Sequence, residues 1–508
     1  MIAVLDFGSQ YTQLIARRIR QLHVLGEIFP CEVAAGILKD RGAAGVILSG
    51  GPASVYAPGA PSLNPDILDL DIPVLGICYG MQIMAKTLAG TVSAFGHAEY
   101  GPAEVDVDPS SMLFRDLETR QPVWMSHGDR VDVLPPGFRA VALSRSCPVA
   151  AMEDAEKRWF AVQFHPEVSH TPAGMDILQK FIFGICGASA DWSMERFAED
   201  AESRIRSKVG RGTVLTAVSG GVDSTVTAVL VQRAVGEQLR SVFIDNGLLR
   251  EGEREEVLAR YRERLGLQVI GVDAGDRFLR ALKGVRDPEV KRKRIGETFI
   301  RVFEEEAGRL GRVDFLAQGT LYPDVIESRS QRGPSDTIKT HHNVGGLPES
   351  MQLELVEPLR DLFKDEVRAL GEVLGIDREL LARHPFPGPG LGVRVIGEVT
   401  KEKVRVLQRV DRIFLEEIRR AGIYDGIWQA FAVLLPVRAV GVMGDERTYE
   451  GAAVLRAVTS DDAMTADWSR IPEGVLTRVS SRIVNEVRGV NRVLYDLTSK
   501  PPGTIEWE

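Results

Sequence analysis

The chain is organised around the stretch Ser219-Gly220-Gly221-Val222-Asp223-Ser224-Thr225, near the middle of its 508 residues. The apolar, β-branched run at 213–218 comes before it and is typical of a buried parallel strand, and 226–235 has the pattern of a helix. A strand, a glycine-rich turn and a helix together present backbone N–H groups and a positive helix end to a phosphate. We therefore predict an α/β domain with a phosphate-binding loop.

The side chains of this loop add to the prediction. Ser219, Ser224 and Thr225 offer hydroxyl donors, and Asp223 suits a phosphate site only if a divalent cation such as Mg²⁺ lies between them. An ordinary βα turn is the alternative, but it has little use for three hydroxyls and an acid. The loop is not a Walker A loop, because no Gly-Lys pair occurs in the chain.

The pattern S-G-G-x-D-S resembles the pyrophosphate loop of the N-type ATP pyrophosphatases. That resemblance implies cleavage of ATP between its α and β phosphates and transfer of the adenylyl group to an oxygen of a second substrate. Residues 219–225 would then bind ATP and its pyrophosphate, with Asp223 as a ligand of Mg²⁺.

Composition and charge narrow the class of protein. A length of 508 residues predicts about three domains at ~150 residues each. The net charge of −9 argues against a nucleic-acid-coating surface. The N-terminus has no basic region of a signal peptide, and no apolar run approaches the ~20 residues that span a bilayer. The four cysteines lack C-x-x-C spacing, which argues against zinc and disulfides. We expect a cytoplasmic enzyme without nucleic-acid or membrane partners.

The first third of the chain contains a second strand–turn–helix motif. Strands are predicted at 2–6, 45–48 and 73–77 with helices between them, and a site is expected at their carboxyl ends. The third strand leads into Gly76-Ile77-Cys78-Tyr79-Gly80, the cysteine form of a nucleophile elbow. The following helix N-terminus favours the thiolate of Cys78. A lone buried cysteine is usually a small hydrophobic residue, which is our interpretation of the others, Cys31, Cys147 and Cys186.

A thiol nucleophile needs a base and a group that orients the base. The strand predicted at 159–164 leads directly to His165-Pro166-Glu167. His165 can accept the thiol proton, and Glu167 can hold the imidazole in one tautomer. A lone histidine is more often structural, which is how we interpret His23, His97 and His127.

Residues 76–82 with 165–167 resemble a class I (triad) glutamine amidotransferase. The resemblance implies attack of the thiolate on the glutamine side-chain amide, a glutamyl thioester and release of ammonia. The oxyanion hole would consist of the backbone N–H groups of Tyr79 and of the turn Gly50-Gly51, with Gly51 as the principal donor.

Beyond the phosphate loop, strands predicted at 240–245 and 268–272, and a strand and turn at 315–320, continue a second parallel sheet. The basic run at 291–294 is either a solvated face or an anion contact. The polar, glycine-rich stretch at 338–348 is predicted as a lid. The adjacent His341 and His342 are a weaker candidate for a metal site, because neighbouring side chains point in opposite directions.

The C-terminal part follows a proline- and glycine-rich hinge at 384–392. Helices are predicted at 401–420 and 473–488, with strands at 432–435 and 439–444, and the tail at 500–508 is predicted to be docked. The predicted fold class is α/β, with two doubly wound parallel-sheet domains (1–187 and 188–383) followed by a small α+β domain (384–508).

The whole chain resembles the glutamine-hydrolysing GMP synthetase family. That resemblance implies that ATP adenylylates the 2-oxygen of XMP and that ammonia from glutamine displaces AMP from adenyl-XMP, with GMP, AMP, pyrophosphate and glutamate as products. It also implies Mg²⁺ and a homodimer through the C-terminal domain. The residues that would contact XMP are Arg292, Gln429, Lys500 and Glu506.

Two alternatives stay open at this point. The first is another glutamine-dependent, AMP-forming ligase with a different acceptor; NAD synthetases carry another amidase domain, and asparagine synthetases need an N-terminal cysteine where this chain has Ile2. The second is a nucleotide-binding regulator on an inactive amidotransferase scaffold. The presence of Cys78, His165 and Glu167 argues against it.

Overall fold

The computed structural model of the protein describes residues 1–51, 54–330, 353–443, 446–460 and 465–508. The predicted lid at 338–348, including His341 and His342, lies outside the described residues. The chain forms two compact units, Met1–Ser193 and Met194–Glu508. The finer division into domains at 1–187, 188–383 and 384–508 stays a prediction.

The first unit is an α/β structure. Within its described residues the helices are α1 (Thr12–Gln21), α2 (Ala35–Asp40), α3 (Tyr79–Thr87) and α4 (Gly174–Gln179). The strands are β1 (Ile2–Asp6), β2 (Gly26–Pro30), β3 (Gly45–Leu48), β4 (Val74–Ile77), β5 (Thr91–Val107), β6 (Arg120–Val133), β7 (Arg139–Leu143), β8 (Ala151–Asp154) and β9 (Trp159–Val162).

These strands form one sheet in the order β2-β1-β3-β4-β9-β8-β7-β5-β6. The pairs from β2 to β9 are parallel, as predicted, and their buried, β-branched sequences suit a sheet covered on both faces. The pairs from β9 to β6 are antiparallel, which we did not predict. In β6 buried residues alternate with exposed or partly exposed ones along much of the strand, the pattern of a strand with one solvated face.

The second unit contains the phosphate loop. Within its described residues the helices are α5 (Met194–Val209), α6 (Val222–Val235), α7 (Glu253–Ala259), α8 (Gly275–Ala281), α9 (Pro288–Arg309), α10 (Tyr322–Ser330), α11 (Lys364–Val373), α12 (Arg378–Leu381), α13 (Lys401–Arg420) and α14 (Glu473–Glu486). The strands are β10 (Val214–Ala217), β11 (Leu239–Asp245), β12 (Val269–Asp273), β13 (Phe315–Ala317), β14 (Glu354–Val356), β15 (Gln429–Met443), β16 (Glu446–Thr459), β17 (Asp467–Trp468) and β18 (Val490–Tyr495).

Two sheets share this unit. The first is parallel throughout, in the order β12-β11-β10-β13-β14, which places the loop after its central strand. The second is mixed: β15, β16 and β17 are antiparallel, and β18 pairs with β16 in parallel. The predicted strands at 432–435 and 439–444, the second as far as Met443, belong to the single strand β15, which has a register shift between Leu435 and Arg438. The α/β class is confirmed.

One hydrophobic core joins the two sheets of the second unit. It includes Leu215 of β10 and Val242 of β11 together with Leu407 of α13 and Leu455 of β16. None of the helices among the described residues is long and apolar enough to cross a membrane.

The hinge at 384–392 is held against the second sheet by His384. Its ring stacks on that of Tyr424, with 3.8 Å between the centroids. The backbone N–H of Ala430 donates to Nδ1 (3.2 Å), and Nε2 lies 3.0 Å from the carbonyl oxygen of Tyr424. Burial lowers the pKa of His384 to about 4. The imidazole is therefore neutral at pH 7, with Nδ1 as acceptor and Nε2 as donor.

Candidate functional site

Cys78 is the only residue between the end of β4 and the start of α3, and its backbone has φ 54° and ψ −106°. A positive φ costs a residue with a side chain about 1–2 kcal/mol, so neighbouring structure must hold this conformation. A Cβ on Gly76 would lie 2.7 Å from the carbonyl oxygen of Gly80, and one on Gly80 would lie 2.3 Å from that of Leu48. Both glycines are needed because the backbones approach so closely.

The predicted base and its partner reach this elbow. Glu167 is completely buried, and its Oε1 lies 2.7 Å from Nδ1 of His165. The backbone of His165 is fixed by its N–H to the carbonyl oxygen of Trp124 (3.0 Å) and by the hydroxyl of Thr171 (2.7 Å). Burial alone would lower the pKa of His165, but the charge of Glu167 and hydrogen bonds with Cys78 and Glu167 hold it well above its usual value. The structure thus brings thiol, imidazole and carboxylate together.

The two predicted oxyanion donors are also adjacent. A Cβ on Gly51 would lie 3.0 Å from Cγ of Tyr79, and one on Gly50 would lie 3.3 Å from Cε1 of His165. Tyr79 is the first residue of α3, so its N–H has no acceptor within the helix. The Gly50-Gly51 turn therefore packs against both the start of this helix and the imidazole.

The other cysteines have the environment of structural residues. All are free, and burial raises the pKa of Cys147 to about 11 and that of Cys186 to about 12. The pKa of Cys31 is raised as well, first by burial and then by the charge of Glu32. Thiols held protonated are poor nucleophiles.

The phosphate loop differs from the sequence expectation in one respect. Helix α6 begins at Val222 rather than at 226, so the second half of the predicted loop, Val222 to Thr225, is the first turn of the helix. Gly220 has φ 80°, and a Cβ there would lie 2.8 Å from Cγ2 of Val257. The turn itself is therefore only Val218 to Gly221, which aims the N-terminus of α6 more directly at any ligand.

The loop is braced by its own hydroxyls and by a tyrosine. The Oγ atoms of Ser219 and Ser224 are 3.1 Å apart, and Thr225 donates to the carbonyl oxygen of Gly221 (2.7 Å). The buried hydroxyl of Tyr261 accepts from the N–H of Gly220 (3.0 Å) and lies 2.9 Å from Oγ1 of Thr225. Sequence reasoning missed Tyr261, which lies 36 residues beyond Thr225 with no local motif.

Asp223 has a cationic partner that the sequence did not indicate. Nζ of Lys364, at the start of α11, lies 2.5 and 2.6 Å from the two carboxylate oxygens. Arg383 contacts the loop as well, donating to the carbonyl oxygen of Gly220 (3.1 Å) and pairing with the buried Glu253. The loop is therefore flanked by two cations from a distant part of the chain.

The predicted XMP residues lie on and around the C-terminal tail. Nε2 of Gln429 donates to Oε1 of Glu506 (2.6 Å), so these two are brought together. Arg292 donates to the main-chain oxygen of Glu508. The backbone of Lys500 pairs with that of Ala466 in both directions (2.7 and 3.0 Å). The tail is docked, as predicted.

Comparison with known proteins identifies the family of the chain. The family model for class-I glutamine amidotransferases matches residues 3–185, and that for the GMP synthase C-terminal domain matches residues 416–507. A glutamine-hydrolyzing GMP synthase of Heliobacterium modesticaldum is 56% identical over 508 residues, covering 100% of this chain and 99% of the relative. The corresponding proteins of Geobacillus kaustophilus and Symbiobacterium thermophilum are 57% and 56% identical, with the same coverage.

The chain belongs to the glutamine-hydrolyzing GMP synthases. This membership confirms the family that the two glycine-rich motifs predict, and with it the prediction of an enzyme of GMP synthesis with glutamine as nitrogen donor.

Proposed function

We propose that this enzyme aminates XMP to GMP, using ATP to activate XMP and ammonia released from glutamine. The observation that carries the proposal is that one chain holds an assembled Cys78–His165–Glu167 set and a hydroxyl-rich phosphate loop flanked by cations. The first is suited to opening an amide, and the second to holding pyrophosphate.

In the glutaminase half, His165 accepts the thiol proton and Cys78 attacks the side-chain carbonyl of glutamine. The N–H groups of Gly51 and Tyr79 stabilise the oxyanion of the tetrahedral intermediate. The imidazolium then returns the proton to the departing ammonia, while the carboxylate of Glu167 stabilises its positive charge. Water hydrolyses the thioester, which yields glutamate and restores the thiol.

In the synthetase half, the 2-oxygen of XMP attacks the α-phosphorus of ATP, and the bond to pyrophosphate breaks. The backbone N–H groups and hydroxyls of 219–225, together with Lys364, stabilise the charge that builds up on pyrophosphate. Ammonia then attacks C2 of adenyl-XMP, AMP leaves with the 2-oxygen, and loss of a proton gives GMP. An amide-like oxygen is a poor leaving group, and adenylylation makes it a good one.

Asp223 is the residue that would hold Mg²⁺ beside the loop. Mg²⁺ in nucleotide sites is commonly held by one or two carboxylates plus substrate oxygens, so a single carboxylate in the first turn of α6 is a sufficient protein contribution. No group of three or more candidate metal-ligating side chains occurs among the described residues. When bound, the ion would neutralise charge on the phosphates.

Arg292, Gln429, Lys500 and Glu506 are proposed to bind XMP. Arg292 or Lys500 suits the phosphate of the nucleotide, and Gln429 and Glu506 suit hydrogen bonds to the base or the ribose. The hydrogen bond between Gln429 and Glu506 supports a common role for this pair.

We also propose a homodimer formed through the predicted C-terminal domain, residues 384–508. Large apolar side chains are exposed on β15, β16 and β18, among them Val440, Val442, Tyr449 and Leu494. Such a patch on one sheet is typical of a protein–protein interface. Sedimentation of Val442→Glu as a monomer, beside a dimeric wild type, would support this interface; a monomeric wild type would refute it.

The cytoplasm is the proposed compartment. All four cysteines are free thiols, which suits a reducing environment. Activity that fractionates with membranes would contradict this proposal.

A product assay tests the proposed reaction. Wild type and Cys78→Ala are each given XMP, ATP and Mg²⁺ with either glutamine or ammonium, with Cys147→Ala as the matched buried-thiol control. We expect wild type and control to form GMP, AMP and pyrophosphate from both donors, and Cys78→Ala to form them from ammonium alone. Use of glutamine by Cys78→Ala would refute the assigned nucleophile. Formation of AMP and pyrophosphate only with another acceptor would refute XMP as the substrate.

A further inference from the structure

Arg394 lies directly behind the carboxylate of Glu506. Its Nη2 lies 2.8 Å from Oε1 of Glu506 and its Nε lies 3.1 Å from Oε2, a two-pronged contact. The guanidinium is fully buried, with its centre 4.2 Å from the ring centroid of Phe431 and 5.1 Å from that of Phe386. No sequence motif marks Arg394, which is the second residue after the hinge.

The backbone of Arg394 is fixed too. Its N–H donates to the carbonyl oxygen of Leu391 (3.0 Å), and its own carbonyl accepts from the N–H of Leu434 in β15 (2.8 Å). The backbone of Arg394 is thus fixed to β15, and its guanidinium lies against the rings of Phe386 and Phe431. A planar group that cannot rotate freely imposes its plane on the carboxylate it binds.

Stability alone is a poor explanation for this arrangement. A buried ion pair often contributes no more to stability than a well-packed apolar pair, because both charges lose their water. Nη1 of Arg394 is buried and has no hydrogen-bond partner among the residues that the structure describes. An unpaired buried donor is unfavourable, so this site carries a cost that an apolar residue would avoid.

The hydrogen bonds at Glu506 leave room for one more. An ionised carboxylate offers about four acceptor positions. Oε1 accepts from Arg394 and from Gln429, and Oε2 accepts from Arg394. The side chain of Glu506 is still 18% exposed. One acceptor position on Oε2 therefore remains for a hydrogen-bond donor from outside.

We propose that Arg394 is a positioning residue for XMP: it orients Glu506 so that Oε2 accepts one hydrogen bond from a hydroxyl or ring N–H of the nucleotide. Arg394 itself touches no substrate in this arrangement. The inference rests on the proposed function, in which Glu506 contacts XMP.

A double-mutant cycle with Arg394→Lys and Glu506→Gln tests the proposal, with XMP affinity measured by calorimetry and KM values measured with ammonium. Lysine keeps the charge but loses the two-pronged contact. We expect Arg394→Lys to raise the Kd and KM for XMP by roughly 10- to 100-fold, with the KM for ATP unchanged. Because Arg394 acts through Glu506, the double variant should bind XMP about as weakly as Glu506→Gln alone.

Glu417→Gln is the matched control. Glu417 is a fully buried carboxylate in the same unit, paired with Arg478 and Arg482 and not with the tail. Loss of its charge should lower stability and leave the KM for XMP unchanged. If it raises that KM as Arg394→Lys does, the effect reflects general destabilisation and the inference is wrong.

Phe386→Leu is a second variant that tests the same proposal if Arg394→Lys does not fold. It removes one of the two rings beside the guanidinium, and we expect a rise of roughly 2- to 5-fold in the Kd for XMP; no rise would count against the proposal. Additive effects in the double-mutant cycle, in a wild type that binds XMP, would overturn the role of Arg394 and leave the proposed function standing. A wild type that does not bind XMP would overturn both.

Discussion

The chain contains two strand–turn–helix junctions that use the same geometry for opposite purposes. Between β4 and α3 the residue with positive φ is Cys78 (φ 54°), and between β10 and α6 it is Gly220 (φ 80°). In the first junction the strained position carries a side chain, which the turn projects above the sheet edge. In the second it carries none, so only backbone and the helix N-terminus lie at the turn, as the proposed binding of phosphate requires.

The difference shows that the residue at the strained position decides what such a junction can do. A side chain there can act as the proposed nucleophile, provided that glycines at 76 and 80 allow the backbones to approach. A glycine there suits the proposed anion site, whose chemistry would then depend on groups from elsewhere in the chain, such as Lys364 beside Asp223. If this contrast is correct, each junction can be disabled without the other.

The largest effect is expected at the first junction for Glu167→Gln. The amide can no longer stabilise the imidazolium of His165, so glutamine-dependent GMP formation should fall by about 10³- to 10⁴-fold. Ammonium-dependent formation should be unchanged, which a paired assay with the two donors measures. An equal loss of activity with ammonium would show that the first junction cannot be disabled without the second.

The reciprocal change is Gly220→Ala. A Cβ there would lie 2.8 Å from Val257, and the alanine would have to adopt a positive φ, so the loop must shift. We expect XMP-dependent formation of AMP and pyrophosphate from ATP to fall by at least ~10²-fold, with glutamine hydrolysis retained. Gly210→Ala is the control, because Gly210 also has a positive φ (56°) but has open space around it. Equal losses in the two variants would mean that backbone strain, not loop geometry, is responsible.

Lys364→Met tests whether the junction between β10 and α6 depends on a cation from elsewhere in the chain. It removes the cation beside Asp223 and leaves the loop backbone intact, so the KM for ATP should rise by about 10-fold. Lys401→Met serves as the control, since Lys401 is exposed and its nearest acidic partner, Asp276, is 3.7 Å away. Steady-state kinetics with ammonium measure both; an unchanged KM for ATP in Lys364→Met would exclude a role in the cradle.

The smallest effect concerns pH and is absent at pH 7. His165 in the first unit has a raised pKa, whereas His384 in the second has a pKa of about 4. Below pH ~6.5 the unfolded chain binds a proton at His384 that the folded chain does not, so stability is lost as pH falls towards 4. The loss should reach about 2 kcal/mol at pH 5.

Urea unfolding of wild type and His384→Gln at pH 7 and pH 5 measures the contribution of His384 to the loss of stability. Glutamine cannot take up the proton, so the variant should lose less stability than wild type between the two pH values. An identical loss in both proteins would show that His384 is not held neutral in the folded state.

Much of this molecule follows from its sequence alone. The parallel strands and α13 were predictable because buried strands and amphipathic helices have local periodicities. The turns at Cys78 and at 219–221 were predictable because tight turns demand glycine at fixed spacing, and the place of His165 was predictable because a strand leads directly to it and Glu167 follows two residues later. These features depend on residues within a few positions of one another, so the sequence states them directly.

The tertiary structure decided the rest, for one physical reason. Hydrogen bonds and ion pairs act over about 3 Å in space and do not depend on separation along the chain. Lys364 reaches Asp223 across 141 positions, Arg383 reaches Gly220 across 163, and Arg394 reaches Glu506 across 112. No local pattern marks such partners. Only the packing of the sheets and of the tail brings Lys364 and Arg383 to the loop and Arg394 to the carboxylate of Glu506.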